Sequence, residues 1–167
     1  AVITGTSTGS VTEDTAATLT TTGKLNVTDT DAGQATFQAG TTAGTYGSVT
    51  IDAAGNWTYS ASNSNAAIQA LGAGQTLTDT IAVKAADGTT QNVVITINGT
   101  NDAAVITGTS TGAVTEDTSV VGGNISVGGK LNVADTDAGQ ATFQAGTTAG
   151  TYGSVTIDAA GNWTYSA

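Results

Sequence analysis

The chain repeats itself, and no other feature of the sequence restricts the possible folds as much. AVITGTSTGSVTEDT, starting at Ala1, returns as AVITGTSTGAVTEDT at Ala104. After a short insertion, GKLNV at Gly23 returns at Gly129, and from there Lys24–Ala61 matches Lys130–Ala167 with one change, Thr28 to Ala134. Solenoid repeats run to roughly 20–50 residues, so self-similarity at about a hundred means separate domains in tandem. One repeat is read as 1–103 and a second, truncated copy as 104–167. Each must bury a core of its own.

Within the first copy, short alternating runs are bounded by turn residues. They are AVITG with its continuation to Val11, KLNVTD, ATFQA, GSVTID, NWTYSA, TLTDTIAVKA and QNVVITING. Trp57 and Tyr59 share one strand face, as do Val49 with Ile51 and Leu25 with Val27. Asp52–Asn56 and Asp87-Gly88 read as turns, and Asn65–Leu71 as a single helical turn. Such a series predicts an all-β fold, a tandem of immunoglobulin-like β-sandwiches of about seven strands each.

The net charge is −10, from 13 acidic and 3 basic residues. With so few cations the chain cannot neutralise a phosphate backbone, which argues against nucleic-acid binding. No apolar run approaches the roughly 20 residues of a membrane helix. The absence of Cys rules out disulfides and thiolate metal sites and suits an exported protein. No signal peptide is visible. Because the chain opens inside a repeat, it is expected to be a piece of a longer protein.

The acids are clustered in VTEDT (Glu13, Asp14; Glu116, Asp117), DTDAG (Asp29, Asp31; Asp135, Asp137), AADG (Asp87) and GTND (Asp102). If successive strands alternate in direction, DTDAG and AADG lie at the end where the chain enters a sandwich. VTEDT and GTND lie where it leaves. Stacking two repeats would then bring Glu13, Asp14, Asn101 and Asp102 against Asp135 and Asp137. Five carboxylates so close together repel strongly without a cation. Ca²⁺, which takes six to eight oxygen ligands, fits that donor set. Taken singly, each Asp or Asn is explained equally well as a turn cap. An EF-hand is excluded, because Gly40 stands where its loop needs Glu.

VTEDT, DTDAG, YGSVTIDAAGNWTY, LGAGQTLTD, AADGTT and VVITINGTND together resemble the VCBS-type, cadherin-like repeat of giant surface adhesins of Gram-negative bacteria. The resemblance implies type I (RTX-type) secretion, an extracellular location on the outer cell surface, roles in adhesion and biofilm, and Ca²⁺ between modules. By the same resemblance Glu13, Asp102, Asp135 and Asp137 are junction ligands, helped by Asp14 and Asn101. Asp29, Asp31 and Asp87 would serve the junction to a preceding module, and Glu116 and Asp117 the one to a following module. Two departures stand out: Gln75 where many members have Glu, and Ala103-Ala104 where the linker usually carries Pro, a residue that would have fixed φ.

The function expected is therefore that of a calcium-stiffened spacer whose partners are its neighbouring repeats. An enzyme is disfavoured, since no His or Cys is present and no base adjoins Ser or Thr. A carbohydrate-binding module would need Trp57, Tyr59, Trp163 and Tyr165 exposed for stacking, whereas their alternation predicts core positions. A laterally assembling extracellular filament subunit is the other alternative. The second copy lacks counterparts of TLTDTIAVKA and QNVVITING. The expectation is that the polypeptide continues past Ala167 or that another copy of the chain supplies strands by complementation.

Overall fold

A computed structural model describes all 167 residues. The chain forms two compact units, Ala1–Asn101 and Asp102–Ala167.

Unit 1 is a two-layer β-sandwich. Its strands are β1 (Val2–Gly5), β2 (Thr8–Thr12), β3 (Thr18–Thr28), β4 (Gly40–Ala43), β5 (Gly47–Ile51), β6 (Asn56–Ser62), β7 (Thr76–Lys84) and β8 (Thr90–Asn98), with the one-turn helix α1 (Ala66–Gln69) between β6 and β7. One sheet has the order β1-β3-β6-β5-β4 and the other β2-β8-β7. All neighbours are antiparallel except β2 and β8, which run parallel. The chain thus begins in one sheet and crosses to the other after Gly5, whose φ of 103° a side chain rarely adopts.

The alternation that predicted the strands places the core. Trp57, Tyr59 and Ala61 of β6 face inward, along with Leu19 and Leu25 of β3 and Val49 and Ile51 of β5. Opposite them lie Ile81 and Val83 of β7 and Val93, Ile95 and Ile97 of β8. The indole N–H of Trp57 donates to the Thr6 carbonyl at 2.8 Å, so the largest side chain leaves no unsatisfied donor. Gly23 is required beside it, since a Cβ there would come within 2.3 Å of the indole ring.

One inward position of β7 is polar. Asp79 is fully buried, and its carboxylate accepts from the amides of Thr45 (2.8 Å), Tyr46 (3.0 Å) and Gly47 (3.0 Å) and from the Tyr59 hydroxyl (3.0 Å). Four donors compensate the desolvation of this charge. The bonds pin the β4–β5 turn of one sheet onto a strand of the other. Burial, and then Asp79, push the Tyr59 phenol above its ordinary pKa.

The structure differs from the sequence reading in three places. ATFQA is not a strand: Phe37 makes only an isolated bridge to Ala85, and the next strand is the wholly exposed Gly40–Ala43. The run expected from Lys24 begins at Thr18. The first run is two strands in different sheets, which gives unit 1 eight strands where seven were expected.

Unit 2 comprises β9 (Val105–Gly108), β10 (Ser126–Ala134), β11 (Gly146–Ala149), β12 (Ser154–Ile157) and β13 (Asn162–Ser166), in a single sheet of order β11-β12-β13-β10-β9. This is the five-stranded sheet of unit 1 over again, with matching registers. Trp163 is buried and its indole N–H donates to the Thr109 carbonyl. Leu131, Ile157 and Tyr165 are only partly covered, whereas Leu25, Ile51 and Tyr59 are buried.

Candidate functional site

Acidic side chains gather at both ends of unit 1 and at one end of unit 2. At the end of unit 1 where the chain enters, Asp29 follows β3 and Asp87 lies in the β7–β8 turn. The amino group of Ala1 sits between them, 3.0 Å from Asp29 Oδ2 and 2.6 Å from Asp87 Oδ2. Each carboxylate is also held by its own loop: the Asp31 amide donates to Asp29 Oδ1 at 2.9 Å, and the Thr89 amide and hydroxyl donate to Asp87. The hydrogen bond from the Ala1 amino group, then those from Thr89, lower the Asp87 pKa to about 2. The Asp31 amide first, then the Ala1 amino group, hold Asp29 below its ordinary value. Asp87 and then Asp29 raise the amino group. The Asp31 side chain is exposed and does not join the pair.

At the other end, Glu13 is 1% exposed and its Oε1 accepts from the Thr100 amide at 2.7 Å, tying the end of β2 to the segment that leaves β8. Asp14 has a φ of 61°. Its amide donates to Asn63 Oδ1, while its carboxylate accepts from Asn63 Nδ2 (2.9 Å) and Gln69 Nε2 (3.0 Å). Asp14 thus braces the loop after β2 against β6 and α1, a role absent from the sequence reading, as were Asn63 and Gln69. Gln75, which stands where Glu was expected, accepts from the Gly72 amide and closes a local turn. Asn101 is exposed.

In unit 2 the DTDAG loop is organised further. The Asp137 amide donates to Asp135 Oδ1 at 2.9 Å, repeating the bond between Asp31 and Asp29. Asp137 itself is only 2% exposed. Its Oδ2 accepts from the Asp102 amide and from Gln140 Nε2, each at 3.1 Å. Its Oδ1 is buried and has no hydrogen-bond donor. A buried carboxylate oxygen in that condition is costly unless a cation meets it. The Asp135–Asp137 loop, with Asp102 beside it, therefore supplies hard oxygen donors of the kind Ca²⁺ prefers. Glu116 and Asp117 are exposed, and Asp117 repeats the left-handed backbone of Asp14 with a φ of 57°. Nowhere do three acidic side chains converge as a ready-made metal-ligand group; what forms within a unit is pairs. Trp57, Tyr59 and Trp163 are buried and offer no stacking platform for a sugar.

Two β-units of immunoglobulin-like design with acidic ends define the class as cadherin-like. The chain belongs to the bacterial cadherin-like domain family, whose pattern matches residues 1–99 and again 101–167. No curated protein matches the sequence. A solved structure of a Ca²⁺-stabilized adhesin that helps an Antarctic bacterium reach out and bind ice is similar at 20% identity, with a TM-score of 0.30. That match covers 94% of this chain and 37% of the other. At that identity and score the likeness bears on neither site nor activity. No helix is long and apolar enough to cross a membrane.

Proposed function

We propose that these units are extender modules of a large bacterial surface adhesin, stiffened by Ca²⁺ held between successive modules, and that their role is mechanical rather than catalytic. Family membership supports the adhesin setting. The observation that carries the calcium reading is Asp137 Oδ1, a buried carboxylate oxygen with no donor, in a loop already shaped by Asp135. Glu13, Asp102, Asp135 and Asp137 are the proposed ligands, with Asp14 and Asn101 in support. Asp29, Asp31 and Asp87 play the part of Asp135 and Asp137 toward a preceding module, and Glu116 and Asp117 face a following one. The bound ion would supply the positive charge that lets these acids approach. In a longer, type I-secreted (RTX-type) protein on the outer cell surface, such stiffened modules would project a distal binding domain for adhesion and biofilm formation.

Extracellular calcium modules bind at roughly 10⁻⁴–10⁻³ M. At about 10 mM Ca²⁺ this adds about 1.4–2.7 kcal/mol per site. The test is thermal unfolding with calcium and with chelator, on the native chain and on the double variant Asp135→Asn, Asp137→Asn. The native chain should melt higher in calcium and the double variant should lose most of that gain. A melting curve indifferent to chelator would remove the calcium part of the proposal.

A further inference from the structure

Asn98 ends β8 and is followed by Gly99, and no other asparagine of the chain precedes a glycine. The pair is reactive by its covalent chemistry. With no side chain on the following residue, the nitrogen of that residue can reach the asparagine Cγ and close a five-membered imide. The fold nevertheless demands both residues. A Cβ on Gly99 would stand 2.5 Å from the Gly72 carbonyl oxygen and 2.6 Å from Leu71 Cβ, so no residue with a side chain fits there. The Asn98 carboxamide donates to the Val11 carbonyl at 3.1 Å, adding a side-chain bond to the β2–β8 ladder.

Folding also keeps the pair from reacting. Ring closure needs the Gly99 nitrogen turned toward Asn98 Cγ, by rotation about the Asn98 Cα–C bond away from the strand ψ of about +115 to +135°. Asn98 is fixed in the extended form from both sides, opposite Thr12 of β2 and Thr76 of β7. The peptide group between Asn98 and Gly99 is held at both of its ends. Its carbonyl accepts from the Glu13 amide at 3.0 Å, and its N–H donates to the Gln75 carbonyl at 2.9 Å. Turning it breaks both bonds, and bringing Cγ to the nitrogen breaks the third, to Val11. Glu13, buried close by, ties the onward chain through the Thr100 amide at 2.7 Å.

We infer that Asn98–Gly99 is a masked deamidation site, protected while the end of β8 is in place and converted once that end opens. In the open chain the Gly99 nitrogen bonds to Asn98 Cγ and gives up its proton, and the carboxamide nitrogen leaves as ammonia. Water then adds to either carbonyl of the imide and breaks its C–N bond, so position 98 becomes aspartate or isoaspartate. Either product marks the chain permanently. Aspartate sets a carboxylate against the Val11 carbonyl, acceptor facing acceptor, beside the buried Glu13. Isoaspartate adds one methylene to the main chain, so the residues after 98 slip out of register with Glu13 and Gln75. The site therefore records opening of the end where the chain leaves unit 1. A unit that has stayed open long enough does not regain its native form, which limits its working life.

The test uses the 167-residue chain in mildly alkaline buffer, folded or in denaturing urea, with chelator present throughout so that no bound ion affects the outcome. Mass spectrometry follows the exchange of ammonia for water in the tryptic peptide Ala85–Lys130, and fragmentation places it. In urea Asn98 should convert ahead of every other asparagine. Folding should slow it at least about a hundredfold, which corresponds to an opening free energy of about 2.8 kcal/mol or more. The variant Asn98→Asp should speed hydrogen exchange of the Glu13 and Thr100 amides at least about tenfold. Folded and unfolded chains converting within about threefold of each other, another asparagine converting ahead of Asn98 in urea, or native exchange at Glu13 and Thr100 in Asn98→Asp would each overturn the inference.

Discussion

Asp79→Asn and Asp79→Ala in unit 1 separate a buried carboxylate that organises the sandwich from one that is merely tolerated. Asp79 Oδ2 serves the Tyr46 and Gly47 amides and the Tyr59 hydroxyl, and Oδ1 serves the Thr45 amide. An asparagine placed with its carbonyl at the Oδ2 position turns its NH₂ toward the Thr45 N–H, donor against donor. One charge-assisted bond is lost, worth about 1.5–3 kcal/mol, and the other three become neutral and weaker. The expected cost is about 3 kcal/mol. Alanine abandons all four donors, at roughly 1–3 kcal/mol for each that finds no water, so its cost should reach about 4–6 kcal/mol. Against a typical domain stability of about 5–15 kcal/mol these are large losses. Native-state hydrogen exchange at Val93, Ile95 and Ile97 reads the opening free energy of unit 1 alone. Tyr59→Phe, which removes a single bond, should cost about 1 kcal/mol. If Asp79→Asn opens within about 0.5 kcal/mol of the native chain, the four-donor network does not hold the two sheets together, and the reasoning fails.

Other expectations concern the ends and the core. The Asp87 pKa lies at about 2 against an ordinary 3.8, so its contribution to stability is present above about pH 4 and fades as the pH falls toward 2. Carbon-detected titration should give that value, and acetylating the Ala1 amino group should raise it. Gly23→Ala should destabilise unit 1 by about 1–3 kcal/mol, since the new methyl meets the Trp57 ring; exchange at Leu19 and Tyr59 measures it. Asp14→Asn keeps a residue that tolerates left-handed φ and should be mild. Asp14→Val should cost about 2 kcal/mol or more, from backbone strain and the lost bonds to Asn63 and Gln69, read as faster exchange in α1.

Strands with a half-buried alternation were legible in the sequence. NWTYSA, GSVTID, TLTDTIAVKA and QNVVITING all lie where the pattern put them, because a period of two encodes which side chains meet the core. Gly40–Ala43 gave no such signal: all four of its residues face solvent at a sheet edge. Thr18–Gly23 went unread because the buried Leu19 is its one large apolar residue, and a single such residue among threonines and a glycine sets no alternation. ATFQA looked like a strand on the strength of Phe37, whose ring is buried from a loop. Asp79 could have been found, since it interrupts the inward series Leu77, Ile81, Val83, and a charge in core phase demands donors. The acidic motifs were plain in the sequence. The labour of Asp14 was not, because its partners Asn63 and Gln69 are distant in the chain and belong to no recognisable pattern.

Small-angle X-ray scattering of the whole chain in about 10 mM Ca²⁺ and again in excess chelator asks most directly whether calcium stiffens the link between the units. Calcium should lengthen the maximum dimension and narrow the spread of conformations, reversibly, and the Asp135→Asn, Asp137→Asn variant should not respond. Superimposable curves in calcium and chelator would contradict the proposed role of the ion.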